Sequence, residues 1–514
     1  MVLNLTPGDL SEPVTGRHWD RATIVRQVAA RARRYQRRGF SPGDRVFFHF
    51  GNRLEFFAEL LAVWRLGGCA IPLDNRLTPF EVENLVATAT PRFAIVDDGT
   101  EATVSDRLSA AGVSVVNTLE DLLGEDEPSG EVSGGRLRLD DDALILFTSG
   151  STGNPKGVVH THRSLRARWI TLQQSLGLAD FRRTLCLLPT HFGHGLICNC
   201  LFPWLSGQEL FITPPFRPEI LMRLGALIDE HAITFLSSVP SMWRMALKLA
   251  KKPTHGTLAR VHCGSAPLSA HLWKDIQAWA GTKQVYNAYG ITETGSWVAG
   301  TTVPDFTPED GLIGVPWGAV IKILSTQDTE VPLAPETECA IGEPGFVWLN
   351  TPALMKGYFK RDDLTDQAVS QGWFMTGDIG ILDERGLLYL RGRERDEINK
   401  GGAKIYPTDV DTVVEQFDHT TDVCTFALDD PLYGQNVGLA VVLSDSSDAT
   451  VRALHQWMKH RLAEAKMPVR WYLLDAIPRT SRGKINRDLV KETCTRLTPL
   501  DLKSILNPRE STSS

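Results

Sequence analysis

Short apolar runs bounded by polar turns alternate with longer amphipathic stretches along most of the chain. Arg45 to Phe50, Phe93 to Val96 and Ala143 to Thr148 combine branched and aromatic residues over strand-like lengths. Between them, Glu55 to Leu66 carries its apolar residues at helical spacing. This alternation predicts an α/β fold with largely parallel sheets. One helix start is well marked: Thr78 can cap the backbone, Glu81 can reach back to it, and Pro79 occupies the first turn. Phe80, Leu85 and Val86 are then expected to pack on a sheet.

Residues 120 to 140 are rich in Asp, Glu, Gly and Ser and read as a surface excursion before the strand at Ala143. A stronger boundary lies at Gly392 to Lys400, where charges crowd between the strand Leu387 to Leu390 and a new alternating pattern from Ile405. It divides the chain into a domain of residues 1–391 and a smaller one of 392–514. The polar tail Pro508 to Ser514 is expected to fray.

Composition narrows the function. With 514 residues, 42% of them hydrophobic, the chain is long enough for more than one core. A formal net charge of -7 provides no basic excess for a run of phosphates, so nucleic acid is excluded as the main partner. No apolar run reaches the roughly 20 residues of a membrane span, and Met1 to Leu10 lacks the regions of a signal peptide, so no transmembrane segment is expected and the cytoplasm is the expected compartment. Of eight cysteines only Cys198 and Cys200 lie close together, without the spacing of a zinc site, and all read as reduced thiols.

The candidate chemistry begins with Thr148-Ser-Gly-Ser-Thr-Gly-Asn-Pro-Lys-Gly157, which follows the strand Leu144 to Phe147. Gly150 and Gly153 let backbone N–H groups converge on one anion. The hydroxyls of Thr148, Ser149, Ser151 and Thr152 add donors, and Lys156 adds positive charge. Such a loop suits pyrophosphate. It departs from the P-loop, because Pro155 precedes Lys156 and Gly157 follows it. A plain Ser/Gly linker shares the composition but rarely follows a buried strand directly.

Further motifs follow in order: Gly264-Ser-Ala-Pro-Leu268, Tyr289-Gly-Ile-Thr-Glu293, Thr376-Gly-Asp378, Gly392-Arg393 with Asp396 to Pro407, and Pro478-Arg-Thr-Ser-Arg-Gly-Lys484. With these, nearly the whole chain resembles the adenylate-forming superfamily, which contains acyl-CoA synthetases, adenylation domains of peptide synthetases and beetle luciferases. The resemblance implies a large N-terminal domain of layered α/β subdomains, a smaller mobile C-terminal α+β domain, and an active site in the cleft between them. It places the hinge at Arg395, where relatives commonly carry Asp or Lys.

Joining a carboxylate to ATP brings two anions together while pyrophosphate leaves, so cations are needed. By resemblance, Lys484 bridges the acid's carboxylate and the α-phosphate, with Lys156 also assigned to catalysis; outside its motif Lys484 would read as a surface lysine. Glu293 resembles the family's magnesium ligand, and Thr292 resembles the residue that bonds the α-phosphate; a hard cation with few protein carboxylates suits Mg2+. The plain alternative for Glu293 is a helix-capping glutamate. Gly264, Ser265, Ala266, Ala288, Tyr289 and Gly290 are assigned to the nucleotide, with Tyr289 against adenine. Asp378 resembles the carboxylate that takes both ribose hydroxyls, assisted by Arg393, although Gly-Asp is also common in ordinary turns.

Lys400-Gly-Gly-Ala-Lys-Ile-Tyr-Pro407 resembles the loop that lines the pantetheine tunnel once the small domain has rotated and withdrawn Lys484. Gly401 and Gly402 would allow close approach of a thin ligand, and a hairpin turn there is compatible with that role. By the same analogy His191, Phe192, His194, Ser238 and Trp297 line the acid pocket. Relatives that activate α-amino acids carry an aspartate near the start of Thr190-His-Phe-Gly-His-Gly195, which has none, favouring an uncharged acyl or aryl acid. The bulk of Trp297 and Ser265 favours a short, medium or aromatic acid. His191 and His194 read equally as pocket donors or as satisfied structural histidines.

The expected activity is an acid–CoA ligase that uses ATP, Mg2+ and coenzyme A. An adenylation enzyme loading an acyl carrier protein, a luciferase-like oxygenase and a catalytically dead binding module are the alternatives, and a homodimer is left open.

Overall fold

The apolar runs pair into three sheets in the computed structural model, which describes residues 6–119, 137–148, 156–302, 306–325, 337–401, 403–480 and 483–506. Most of the expected surface excursion at 120 to 140, and the polar tail, lie outside the described residues.

In the seven-stranded sheet, Arg45–Phe48, Cys69–Pro72, Phe93–Val96 and Ser114–Asn117 run parallel, and Asp142–Thr148 joins them alongside Cys69–Pro72. Lys156–Thr161 then folds back antiparallel on Asp142–Thr148, so the glycine-serine segment lies between two paired strands. A larger 14-stranded sheet begins as parallel α/β strands, including Phe235–Ser238, Arg260–Gly264 and Val285–Ile291. It continues as an antiparallel meander from Ser296–Gly300 to Leu388–Arg393.

The helix Leu54–Arg65 is buried from Leu54 through Trp64, as expected for a helix covered on all sides. Its enclosed Glu59 is paired with Arg31 at 3.1 Å and Arg34 at 2.5 Å, so this buried charge is compensated. The helix Pro79–Ala89 starts with the expected Thr78–Glu81 capping box, but its buried stripe is Val82, Leu85 and Ala89. Phe80 is 68% exposed, correcting the expected face: at about 100° per residue it lies across the helix axis from Val82.

The five-stranded sheet starts at Ile398–Lys400 and pairs Gly434–Leu443 antiparallel with Thr420–Asp430 and parallel with Arg470–Leu473. It meets the rest of the chain through an Arg244–Glu415 ion pair and through Gly483, where an added Cβ would lie 2.7 Å from the Ser241 hydroxyl. Among the described residues, no helix is long and apolar enough to cross a membrane.

Candidate active site

The strand Val285–Ile291 runs into a short 3-10 turn, Thr292–Thr294, and returns as Ser296–Gly300. Its surroundings admit only glycine at two motif positions. A Cβ on Gly290 would lie 1.9 Å from the Ser296 carbonyl oxygen, and one on Gly264 would lie 2.2 Å from that of Ala288. Ser265 and Ser296 have φ of 67° and 74°, conformations that a residue with a side chain keeps only when its surroundings enforce them.

The turn is fixed from behind. His160 Nε2 lies 2.8 Å from the Thr292 carbonyl oxygen, which only accepts, so Nε2 carries the ring proton and Nδ1 accepts from Ser164 Oγ at 3.2 Å. Burial pushes the His160 pKa down to about 4 and keeps the ring neutral. The Met355 N–H donates to the Glu293 carbonyl at 2.7 Å.

Tyr289 donates its hydroxyl to Asp378 Oδ2 at 2.5 Å, and Arg393 Nε lies 2.9 Å from Oδ1. Asp378 is buried, yet each oxygen keeps a lone pair beyond these contacts. Burial and the neighbouring carboxylate push the Tyr289 phenol well up. Asp378, with Tyr289 and Glu293 also nearby, pushes the Arg393 guanidinium up. The Glu293 carboxylate accepts from the Tyr358 hydroxyl at 2.8 Å, and Lys156 Nζ sits 5.4 Å from the centre of the Tyr358 ring. Among the described residues no group of three or more His, Cys, Asp or Glu forms a metal cage. A lone carboxylate is instead the donor set suited to Mg2+ shared with nucleotide phosphates.

Thr148 and Lys156 pair at the ends of the glycine-serine segment, the Thr148 hydroxyl donating to the Lys156 carbonyl at 3.4 Å. Ser149, Gly150, Ser151, Thr152 and Gly153 lie outside the described residues, as does Gly402. Gly401 has φ of 59° at the hairpin between Lys400 and Ala403, and its N–H donates to the Tyr433 carbonyl at 2.9 Å.

A second cluster of pocket candidates is neutral. His194 opens a buried π-helical segment, His194–Leu201, and bridges two serines: Nδ1 to Ser265 Oγ at 2.7 Å and Nε2 to Ser237 Oγ at 2.6 Å. Phe192 and Trp297 flank its ring at 5.7 and 5.5 Å. Ser238 does not join them: its hydroxyl donates to the His262 carbonyl at 2.6 Å and accepts from Trp243 Nε1 at 2.7 Å. Successive strand residues face opposite sides, so Ser237 takes the pocket position assigned to Ser238. His191 Nε2 lies 3.5 Å from Asp74 Oδ2.

Burial, and then the positive charge of Lys484, push the His194 pKa down to about 3. Lys484 is thus near enough to His194 for its charge to be felt at the ring. Its turn is closed by the Thr480 N–H donating to the Lys484 carbonyl at 2.7 Å. The structure thus gathers Lys484, His194, Ser265, Trp297, Tyr289, Asp378, Arg393, Glu293, Tyr358 and Lys156 around the region where the two domains meet. Tyr358 and His160 were missed from sequence; the Gly357–Tyr358 pairing with Val158 and Val159 and the Met355–Glu293 bond bring Tyr358 to Glu293, and neither is visible in the chain.

The chain belongs to the AMP-binding enzyme family, whose model matches residues 14–359, and the family's C-terminal domain model matches residues 409–484. It is 29% identical over 472 residues to a probable CoA ligase, CCL9, of Humulus lupulus, covering 88% of this chain and 87% of that one. It is 28% identical over 485 residues to the long-chain-fatty-acid–CoA ligase FadD13 of Mycobacterium tuberculosis, covering 90% of each. ATP-bound MatB of Rhodopseudomonas palustris has a similar structure, with a TM-score of 0.82 at 25% identity over 95% of this chain and 96% of that one.

Proposed function

We propose that this chain activates a carboxylic acid with ATP to an acyl-adenylate and transfers the acyl group to the thiol of coenzyme A. The observation that supports this reading is the Tyr289–Asp378–Arg393 cluster beside Glu293, with Lys484 close enough to the neutral His194 cluster for its charge to be felt there. The names of the CoA ligases to which it is similar support the same reaction.

In the first half-reaction a carboxylate oxygen of the acid bonds to the α-phosphorus, the bond to the β-phosphate breaks, and pyrophosphate leaves. Lys484 holds the acid's carboxylate against the α-phosphate, Thr292 bonds the α-phosphate, and Asp378 accepts from the ribose hydroxyls beside Arg393. Thr148, Lys156 and the residues between them hold the leaving phosphates. Glu293 is the protein ligand for Mg2+, which when bound neutralises phosphate charge. In the second half-reaction the thiol sulfur bonds to the acyl carbon and AMP leaves, with Gly401 and Gly402 beside the pantetheine arm. The acid is an uncharged acyl or aryl acid: a neutral His194 between two serines provides no counter-ion for an ammonium or a second carboxylate.

Pyrophosphate release measured over a panel of carboxylic acids, with and without coenzyme A, tests this reading. Acid-dependent release and a coenzyme A-dependent thioester are expected. Release that ignores the acid, or an adenylate that never reaches coenzyme A, would refute it.

A further inference from the structure

The third carbonyl of the Thr292–Thr294 turn, that of Thr294, is held by Arg168, through Nη2 at 2.9 Å and Nε at 3.2 Å. Arg168 is fully buried on the helix His162–Leu176. Its Nη1 reaches the Trp317 carbonyl at 2.8 Å and the Thr171 hydroxyl at 3.4 Å, and Nη2 also reaches the Thr351 hydroxyl at 3.1 Å. Among the described residues no carboxylate pairs with it. Buried Arg31 and Arg34, by contrast, share Glu59. Enclosing a cation with only neutral acceptors is costly, so a position that keeps one has a use for the full set of guanidinium donors. Burial lowers the Arg168 pKa to about 10, which leaves it charged at neutral pH.

The segment that Arg168 holds is the strained one. Gly295 and Ser296 both have positive φ, and an added Cβ on Gly295 would lie 3.5 Å from the Arg168 Cβ, so the chain reverses directly over the arginine stem. Such a reversal persists only where neighbours over-determine it. Its N-terminal side presents Thr292 and Glu293 to the cleft.

We infer that Arg168 is a positioning residue for adenylation: its planar fork ties the turn to the loops at Trp317 and Thr351, and thereby aims Thr292 and the Glu293 carboxylate. This rests on the roles proposed above for those two residues. Lysine at this position keeps the charge but cannot reach three separated acceptors in one plane.

The test compares full-length Arg168→Lys and Arg168→Met with the parent by calorimetry of ATP with and without Mg2+, by acid-dependent pyrophosphate release, and by thioester formation from supplied acyl-adenylate. In Arg168→Lys, adenylation is expected to fall about 100-fold, the scale of a misplacement near one ångström. Its ATP binding in Mg2+ is expected to weaken about tenfold. Thioester formation from the supplied adenylate should fall by less than about tenfold, because that step keeps the Thr292 contact to the α-phosphate but no longer needs the Glu293 carboxylate as a metal ligand. Parallel loss of both half-reactions, or unchanged ATP binding and adenylation, overturns the assignment. Should Arg168→Met fail to fold, Arg168→Lys placed on Glu293→Gln decides: a further loss below about threefold supports action through Glu293, and a full additional loss overturns it. Should the parent release no pyrophosphate with any acid, the functional reading itself fails, while calorimetry with ATP still reports whether Arg168 shapes the nucleotide site.

Discussion

The two side-chain clusters, around Asp378 and around His194, are built from opposite chemistry. On the side proposed for the nucleotide, Asp378 carries a phenol and a guanidinium, and the Glu293 carboxylate is held by Tyr358, so both carboxylates are held in charged hydrogen bonds. On the acid side a buried imidazole bridges two serines between two aromatic rings, and no ion pair forms in that cluster among the described residues. The difference teaches where each kind of selectivity resides. Charge handling is the same for every acid that reacts with ATP, so it is fixed in charged groups; the choice of acid is left to shape and neutral hydrogen bonding.

The sharpest way to break this comparison is to remove the cation near the neutral cluster. Lys484→Ala is expected to reduce adenylate formation about 1,000-fold, the upper range for losing one group aimed at developing charge. Thioester formation from supplied acyl-adenylate should largely survive. Equal loss of both half-reactions would mean that Lys484 does not belong to the first step alone. Asp378→Asn should have the next largest effect. It removes a charged acceptor paired with Arg393, and the loss of a charged hydrogen bond at about 1.5–3 kcal/mol corresponds to a rise of roughly 10- to 100-fold in KM for ATP. The KM for the acid should stay nearly constant. A matching rise in both constants would show that the clusters are not separate.

Much of the nucleotide side was legible because its charged residues cluster in short motifs: Tyr289 with Glu293, Asp378 alone after Gly377, and Lys484 after Gly483. The acid side was legible only as intervals. Ser238 was assigned to the pocket by resemblance, but which of Ser237 and Ser238 faces it depends on strand parity, and parity follows from pairing with Arg260–Gly264 far along the chain. Phe80 failed for a related reason: a capping box fixes where a helix starts, whereas its buried face is chosen by the sheet it meets. Contacts behind the Thr292–Thr294 turn carried no local signal at all. His160, Arg168 and Met355 come from distant elements and act on backbone carbonyls, which leave no trace in residue identity.

The two clusters should also fail at opposite ends of the pH scale, and this is the smallest effect of the set. Burial lowers the His194 pKa from an ordinary 6.5 to about 3, so below pH 6.5 the unfolded chain takes up a proton that the folded chain refuses. Stability from this group is complete above pH 6.5 and is lost as pH falls toward 3, at about 1.4 kcal/mol per pH unit. His160, behind the Thr292–Thr294 turn, and His162, each lowered to about 4 by burial, add to the same limb, so His194 accounts for only part of it. On the nucleotide side the sign reverses. The Tyr289 phenol is raised above an ordinary 10.0, so from pH 10 upward the unfolded chain gives up a proton that the folded chain keeps, and stability falls with rising pH. Thermal midpoints measured from pH 4 to 11 should therefore form a plateau with two falling limbs. His194→Phe should flatten the acid limb by the share of one histidine, and Tyr289→Phe should flatten the alkaline limb alone. If either substitution alters the limb assigned to the other cluster, the division between a charged and a neutral cluster does not hold.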